Sequence, residues 1–530
     1  MGVSSTHRIL QTGTPLTVTT STHDLSADNT VVVVGAGPTG LWLASELALA
    51  GVHVVVLEKR LERSPHARAL GIMPRTLEVL ALRGAASPFL AAGRPVPAWH
   101  FGLLEQSVRF DTLDTPFPFM LLLPQTTTES LLEERARGLG VVIVTGAELT
   151  GLDQPGLDEP GLDQPGLDRP GAIVTATYTE NGAERRIEAA LVVGCDGAHS
   201  AVRRLADIPF VGEASSTWGF VGDVMLDTPP APGTRIVRPD GALIVAPLPD
   251  GRHRLTGWDP EHQSEGEELD LETLRAFTRR MADTDFGLRD PSWLSRFGDA
   301  NRLAATFRQG RVLLAGDAAH IHWPTGGLGL NAGIHDAMSL GWRAAAFVRG
   351  RGTAALLDDY ASERRASGEA LRTSTLAQGA LITAADPAGL ALRATMNRLL
   401  ATAEGNESIG TWLAGLSRES TLPVGVEGLP EAFTGGRPVL VISDATLYAT
   451  VREALEIASD DIVMLFAEPR REHPLPRAML VRPDGHLSWA SPNDGPLAAG
   501  LNDALSRVGI PLGEPSGPEA FDRVGRRAGA

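Results

Sequence analysis

Thr30 to Val34 is an unbroken β-branched run that stops at a cluster of glycines. Apolar residues then recur at helical spacing through "GLWLASELALAG", and a second β-branched run follows in "HVVVLEKR". Strand, glycine turn, amphipathic helix, strand is the pattern of a βαβ unit, and strands without polar alternation belong to a sheet covered on both faces. "RTLEVLALRG" is next read as helix, and "QTTTESLLEERARGLGVVIVTG" as a capped helix returning to a strand. "RIEAALVVGCDGAHSAVRRLADIPF" runs from strand through a glycine turn into a short basic helix. Then the periodicity changes. "TRIVR", "ALIVAPL" and "RHRLTGW" are short runs separated by Pro239-Asp240-Gly241 and Pro249-Asp250-Gly251. Proline presets φ and glycine accepts positive φ, so these predict an antiparallel meander, a second layer inserted into the α/β chain. "RVLLAGDAAHIHWPTGGLGLNAGIHDA" returns to strand, turn and helix, and long helices follow in "LLDDYASERRASGEALRTSTLAQGALI". After "GGRP" near 437, the strand "VLVISDA" and the hairpin "AMLVRPDGHLSWA" predict a third, small α/β domain.

A chain of 530 residues exceeds one hydrophobic core, since a single domain rarely passes roughly 250 residues. The composition, 43% hydrophobic and 21% charged, is that of a globular protein. A formal net charge of −17 without any Lys/Arg cluster argues against a nucleic-acid partner. The single cysteine, Cys195, excludes an intrachain disulfide, a CxxC redox pair and a Cys-rich zinc site, and points to a cytoplasmic home. The first 28 residues lack a basic stretch followed by an apolar one and are expected to be a polar tail. No apolar run approaches the roughly 20 residues of a membrane span. From Gly151 the unit GLDxP repeats four times. A proline every fifth residue blocks both helix and interior strand, so residues 151–171 are expected to form a surface loop between two strands.

Gly35-Ala36-Gly37-Pro38-Thr39-Gly40 is a GxGxxG placed after a strand and at a helix start. There the first glycine makes the tight turn, the second admits a pyrophosphate to the backbone, and the third lets helix and strand pack. Glu58, at the end of the next strand, is placed to accept both hydroxyls of an adenosine ribose. In the "RVLLAGDAAHIHWPTGGLGLNAGIHDA" stretch, His320, His322 and His335 have no cysteine or carboxylate at a metal-ligand spacing, so no metal is expected and the histidines are taken as structural. Without a lysine the stretch is no Walker loop. What remains is Asp317 after a buried strand and a second glycine turn opening a helix near Leu330. Two helix N-termini then serve one extended anionic ligand, which FAD needs and a singly bound NAD does not.

These residues resemble the class A flavoprotein monooxygenases of the para-hydroxybenzoate hydroxylase type over roughly residues 29 to 400. Three motifs in order carry the resemblance: the GxGxxG with Glu58; Cys195-Asp196-Gly197 with Ser200 and Arg203; and Gly316-Asp317 through Pro324, Gly326, Gly327, Gly329 and Asn331. "RALGIMPRTLEVLALRG", "LPQTTTESLLEERARGLG" and "LVRPDGHLSW" further resemble the bacterial aromatic polyketide hydroxylases. The implied fold is α/β: a Rossmann-like FAD-binding domain (29–105, 120–212, 296–400), an inserted antiparallel-sheet substrate domain (106–119, 213–295), a helical linker (401–436), and a thioredoxin-like C-terminal domain without redox cysteines (437–530). The implied cofactor contacts are Gly35, Gly37, Pro38, Gly40, Glu58, Lys59, Arg68, Gln125, Asp196, Asp317, Pro324, Gly327, Gly329, Leu330 and Asn331. Two positions depart from the family pattern: Leu328 replaces the usual glutamine of the second glycine turn, and Arg343, with Ser339 before it, replaces a lysine.

The resemblance implies that NADPH or NADH reduces FAD, that O2 yields a C4a-hydroperoxide, and that one oxygen atom enters an aromatic substrate, phenolic or polyketide. A phenol supplies its own electron density, so no catalytic side chain is named. The substrate is expected between the flavin and the antiparallel sheet, with Trp218, Phe220 and Trp258 as candidate walls or, equally simply, core. Two alternatives stand: Baeyer–Villiger oxygen insertion into a polyketide ketone on the same scaffold, and a non-catalytic flavin- or drug-binding protein. The partner is a small aromatic molecule, and the chain is expected to be a monomer or homodimer.

Overall fold

The computed structural model describes residues 26–155, 172–416 and, with breaks at 446, 449–450, 452–460, 468–474 and 492–497, residues 428–510. The expected N-terminal tail and most of the pentapeptide tract lie outside the described residues. The tract is flanked by the antiparallel pair Ala147–Asp153 and Val174–Glu180. Gly151, Leu152 and Asp153, expected in the loop, are the last residues of the first of these strands. They still find ladder partners, because the first proline comes only at 155.

The strand Thr30–Val34 (β1) is buried at every position. It lies inside a six-stranded sheet, between His53–Glu58 (β2) and Leu191–Gly194, with Val142–Thr145 outside β2, and Val312–Leu314 and Arg308–Gln309 outside Leu191–Gly194. All pairings but that of the Arg308–Gln309 edge are parallel. Helix Pro38–Leu49 (α1) has Leu41, Trp42, Leu43, Ala44 and Leu47 fully buried, because it is sandwiched between the sheet and the long helix Gly329–Val348. Small residues set that crossing. A Cβ on Gly333 would stand 2.2 Å from Thr39 Oγ1, and one on Gly341 would stand 2.5 Å from Glu46 Cβ. The contacts advance from 39 and 333 to 46 and 341, so the helices run parallel and both N-termini open at one edge.

The meander comprises Thr234–Arg238, Gly241–Pro247, His253–Trp258, Trp218–Met225 and Arg289–Gly298, each antiparallel to the next. One face buries Phe220, Val224, Leu243, Val245 and Leu255 against Leu274, Phe277 and Met281 of helix Leu271–Ala282. The other face carries Ala242, Ile244, Trp258 and Phe297 toward Leu103, Trp323 and Ile382. Residues 106–119, expected with this sheet, pack elsewhere: Val108–Arg109 pairs with Ala98–Trp99, and Phe110 and Leu113 join Leu381, Leu400 and Leu413 in a separate core.

The C-terminal sheet has the order Val463–Phe466, Val439–Ile442, Ala478–Val481, Leu487–Ala490, parallel in its first pair and antiparallel thereafter, which is the thioredoxin arrangement. It docks through buried polar groups. Arg83 makes a two-pronged bond to Glu46 (2.9 and 2.7 Å) and also donates to the carbonyls of Phe433 (2.9 Å) and Pro483 (3.0 Å). Trp342 Nε1 donates to Asp484 (3.0 Å). Arg343 and Arg482 converge on Glu363 Oε2 (2.7 and 2.8 Å). The fork of Arg343 also reaches the Ser339 carbonyl, a second bond that a lysine ammonium is less suited to make in fixed geometry. Among the described residues no helix is long and apolar enough to cross a membrane.

Two outcomes follow from this packing. Gly341→Val forces α1 from the long helix and is expected to cost about 1–3 kcal/mol, read as a lower Tm. For Glu363, burial alone would raise the carboxyl, but the bond from Arg482 and the charges of Arg343 and Arg482 outweigh it and hold it at about 2, below its ordinary 4.5. Its contribution is therefore complete above pH 4.5 and drains away as pH falls toward about 2. Thermal unfolding of the wild type and Glu363→Gln should differ at pH 7, with a gap that closes through that window; a gap independent of pH would assign the loss to packing instead of charge.

Candidate functional site

The turn between β1 and α1 is occupied by backbone alone. Gly35 has φ +105°, and a Cβ there would lie 2.4 Å from the Cys195 carbonyl oxygen; a Cβ on Gly40 would lie 2.0 Å from that of Gly35. Packing fixes both. Gly37 differs, since its φ of −75° and ψ of 179° suit any residue and its Cβ direction meets no protein atom within 4 Å. It is the N-cap of α1 without a side-chain cap, and Pro38 at the first helical position has no N–H to satisfy. The remaining first-turn donors thus stand ready for an anion.

Glu58 lies beside this turn, with Oε2 accepting from the Ala36 N–H (2.8 Å) and Oε1 from the Arg60 N–H (2.9 Å). Each oxygen keeps a spare lone pair. Lys59 and Arg68 are exposed. Gln125 braces the loop that carries Arg68: its Oε1 accepts from the Ala69 N–H (3.1 Å) and its own N–H donates to the Ala69 carbonyl (2.9 Å). Asp196 Oδ2 accepts from the N–H groups of Ala201 (2.6 Å) and Val202 (3.1 Å), while its buried Oδ1 has no partner among the described residues. Ser200 caps the same short helix, and Arg203 donates to the carbonyls of Ala198 (2.9 Å) and Ala318 (2.8 Å), joining this turn to the next one.

That next turn begins at Gly316, with φ +62° and Thr39 Oγ1 2.6 Å from where a Cβ would be. Its N–H donates to Asp336 Oδ2 (2.9 Å), which also shares a hydrogen bond with His320 Nε2 (2.7 Å), and Arg364 Nε donates to Asp336 Oδ1 (2.7 Å). Burial would raise the Asp336 carboxyl, but His320 and Arg364 hold it far below the carboxylate range. His320, a bystander on spacing alone, is thus one of three groups that fix the peptide before Asp317. The missed signal was an acidic residue in the apolar stripe of "AGIHDAMSLGW". Asp317 itself is exposed, and its Oδ1 lies 3.9 Å from the Cβ direction of Gly329 at the start of the long helix. His322 Nε2 lies 3.4 Å from the same point, with Nδ1 on the Trp323 carbonyl (2.8 Å); burial lowers this histidine's pKa.

In the second glycine turn Pro324 is exposed, and Gly327 has φ +73° with no protein atom within 4 Å of its Cβ direction. Leu328 is the N-cap of the long helix without a side-chain cap, and its side chain packs on the core of Met73, Phe101 and Leu104. Leu330 packs on the main core. Asn331 is a structural tie: its Oδ1 accepts from the Met73 N–H (2.8 Å), and its Nδ2 donates to the carbonyls of Gly71 (3.1 Å) and Gly327 (3.0 Å). Of the proposed walls, Trp258 packs on the small core that contains Trp323. Phe220 does not: strand alternation turns it to the far side, edge-on to Phe277 at 4.9 Å. Trp218 sits at the strand start, its N–H and carbonyl both bonded by Gln263. Among the described residues no group of three or more His, Cys, Asp or Glu is placed to hold a metal.

Residues 28–375 match the family described as FAD binding domain, and residues 409–515 match the aromatic-ring hydroxylase C-terminal family. The chain belongs to the FAD-dependent aromatic-ring hydroxylases. This hydroxylase is 38% identical to an uncharacterized aromatic compound monooxygenase of Bacillus subtilis, over 87% of this chain and 93% of that one. It is 36% identical to rifampicin monooxygenase of Streptomyces venezuelae, over 87% and 95%. Among solved structures it is similar to OxyS anhydrotetracycline hydroxylase from Streptomyces rimosus, with a TM-score of 0.78 and 33% identity over 91% of this chain and 99% of that one. It is a flavin-dependent monooxygenase, and the residues present fit FAD: two uncapped helix starts open at one edge, and the Cβ directions of Gly37 and Gly327 are vacant of protein. Because only a ligand forbids a side chain at position 37, Gly37→Ala should leave the Tm of the FAD-free protein unchanged while weakening FAD binding at least about tenfold, measured by flavin fluorescence.

Proposed function

We propose that this hydroxylase draws hydride from NADPH or NADH and, with FAD and O2, places one oxygen atom on an electron-rich ring of a polycyclic, polyketide-like aromatic substrate. What supports the proposal is that two parallel helix N-termini open at one edge and that the meander turns Trp258 and Phe297 toward Trp323, in the turn before the second of those helices; we take the region between them as the substrate cleft. FAD, when bound, supplies the hydride acceptor and the activation of O2. The Gly35–Gly40 turn would receive the pyrophosphate, Glu58 the adenosine ribose, and Asp317 the ribityl chain. Arg68, Gln125 and Asp196 flank them. The N–H groups from Gly329 to Asn331 would lie against the pyrimidine edge, where a helix N-terminus stabilises negative charge. Trp258, Phe297 and Trp323 would exclude water and give a wide apolar wall suited to several fused rings. The multi-ring compounds in the names of the rifampicin and anhydrotetracycline relatives support a substrate of that size.

The test is turnover by purified, yellow protein with a panel of hydroxylated anthraquinones and angucyclines under NADPH or NADH. Substrate-stimulated oxidation of the nicotinamide and a product heavier by one oxygen on an intact ring are expected. A lactone product would shift the reaction to Baeyer–Villiger insertion, and protein that stays colourless after FAD is supplied would overturn the proposal.

A further inference from the structure

The strand register sorts the sheet face that looks into the cleft into rows. Val237, Ala242, Trp258 and Phe297 belong to one row, and Arg235 with Ile244 and Thr256 to the next. Arg235 brings a charge to these two rows. Its guanidinium donates to Ser107 Oγ (2.9 Å) and the Glu105 carbonyl (3.4 Å), both neutral acceptors. No carboxylate pairs with it among the described residues; the Glu105 side chain is exposed, and its attraction falls on Arg393. Within reach of the Arg235 charge is His100, which is buried, lies tilted against Trp99 with ring centroids 5.0 Å apart, and has a buried Nδ1 without a partner among the described residues. Burial and the Arg235 charge push the pKa of His100 down to about 3, so the imidazole stays neutral.

Two other arginines near the face already have partners among the described residues. Arg254 and Asp223, one row on, make a two-pronged ion pair (both 2.7 Å). Arg393 donates to the carbonyls of Gly102, Leu103 and Leu381. Asp317 and His322 belong to the flavin side of the cleft. A half-buried arginine cannot shed its proton, and holding it without a counter-ion is costly unless an anion arrives.

We infer that Arg235, with His100 beside it, receives an ionised oxygen of the substrate, the phenolate or enolate of a polycyclic aromatic compound. The inference rests on the cleft being the substrate site. The substrate's O–H proton leaves to solvent and no other bond changes. A neighbouring cation favours the ionised form of an acid, and ionisation raises the electron density of the ring that is to accept oxygen.

The test uses holoenzyme without NAD(P)H or turnover. Alizarin, whose visible absorption shifts to the red on ionisation, and its dimethyl ether are titrated separately. Bound alizarin is expected to ionise about one pH unit or more below free alizarin, and the ether to bind at least about tenfold more weakly. Arg235→Gln should abolish the spectral shift and bring the two affinities together; Arg235→Lys should keep part of the shift. Alizarin bound in its neutral form, an undiminished shift in Arg235→Gln, or no binding of either ligand would overturn the inference. Should Arg235→Gln fail to fold, the wild-type ligand pair and Arg235→Lys still decide. Binding as the anion without hydroxylation of any substrate defeats only the proposed reaction, whereas hydroxylation with alizarin bound neutral defeats only the role of Arg235.

Discussion

The cleft depends on how closely α1 can approach the helix Gly329–Val348. Gly333 against Thr39 and Gly341 against Glu46 leave no room for a single added carbon. Because the two helices run parallel, their dipoles add instead of cancelling, with both positive ends at the edge where the glycine turns open. The negative ends gather at the opposite edge, and Arg349, the C-cap of the long helix, donates there to the carbonyl of Ala50, the C-cap of α1 (2.7 Å). The sequence therefore supplies a cation at the C-terminal edge and withholds side-chain caps at the N-terminal one. Three other helices carry side-chain caps, with Asp270, Asp386 and Thr402 each accepting an N–H three residues on, while those starting after Met73, Pro124 and Ala354 carry none. Positive potential is concentrated where a pyrophosphate would lie.

A second constraint holds the Gly316 turn from behind. Gly316 is pinned by Asp336, Asp336 by His320 and Arg364, and Arg364 is adjacent in sequence to Glu363, the group on which Arg343 and Arg482 converge. Helix Ala355–Thr383 thus presents one residue to the turn before Asp317 and its neighbour to the thioredoxin-like domain. Losing one partner from such a buried ionic group leaves an uncompensated charge, which is strongly destabilising. The C-terminal domain, whose sequence holds no cysteine, is physically continuous with the support of the Gly316 turn.

Much of this was legible in the sequence because short-range rules decide it. The βαβ unit, the PDG-turned meander and the strand–turn–helix at Gly316 follow from periodicity and turn chemistry within a few residues. What escaped required long-range pairing. Phe220 and Trp258 are both aromatic residues on meander strands, and only the register shows that they face opposite sides. Asp336, Arg364 and His320 are spread over 45 positions, and their convergence depends on how two helices pack on one turn. The resemblance assigns residues 106–119 to the meander domain, whereas Phe110 and Leu113 are satisfied by the helices around Leu381 to Leu413.

Leu328 shows how such a departure is accommodated. A glutamine at this place would bring hydrogen-bonding groups to the start of the long helix, and leucine brings none. The turn keeps its shape through other contacts: Asn331 bonds back to the Gly327 carbonyl, and Gln378 stands 3.1 Å from the Cβ direction of Gly326, barring any larger residue there. With the backbone tied by Asn331, the side chain at 328 is free to be apolar and joins Met73, Phe101 and Leu104. That core reaches Trp99, the neighbour of His100. The consequence is a graded surface: uncapped helix starts at the glycine turns, apolar side chains at Leu328 and Trp258, and Arg235, whose acceptors, Ser107 Oγ and the Glu105 carbonyl, are neutral.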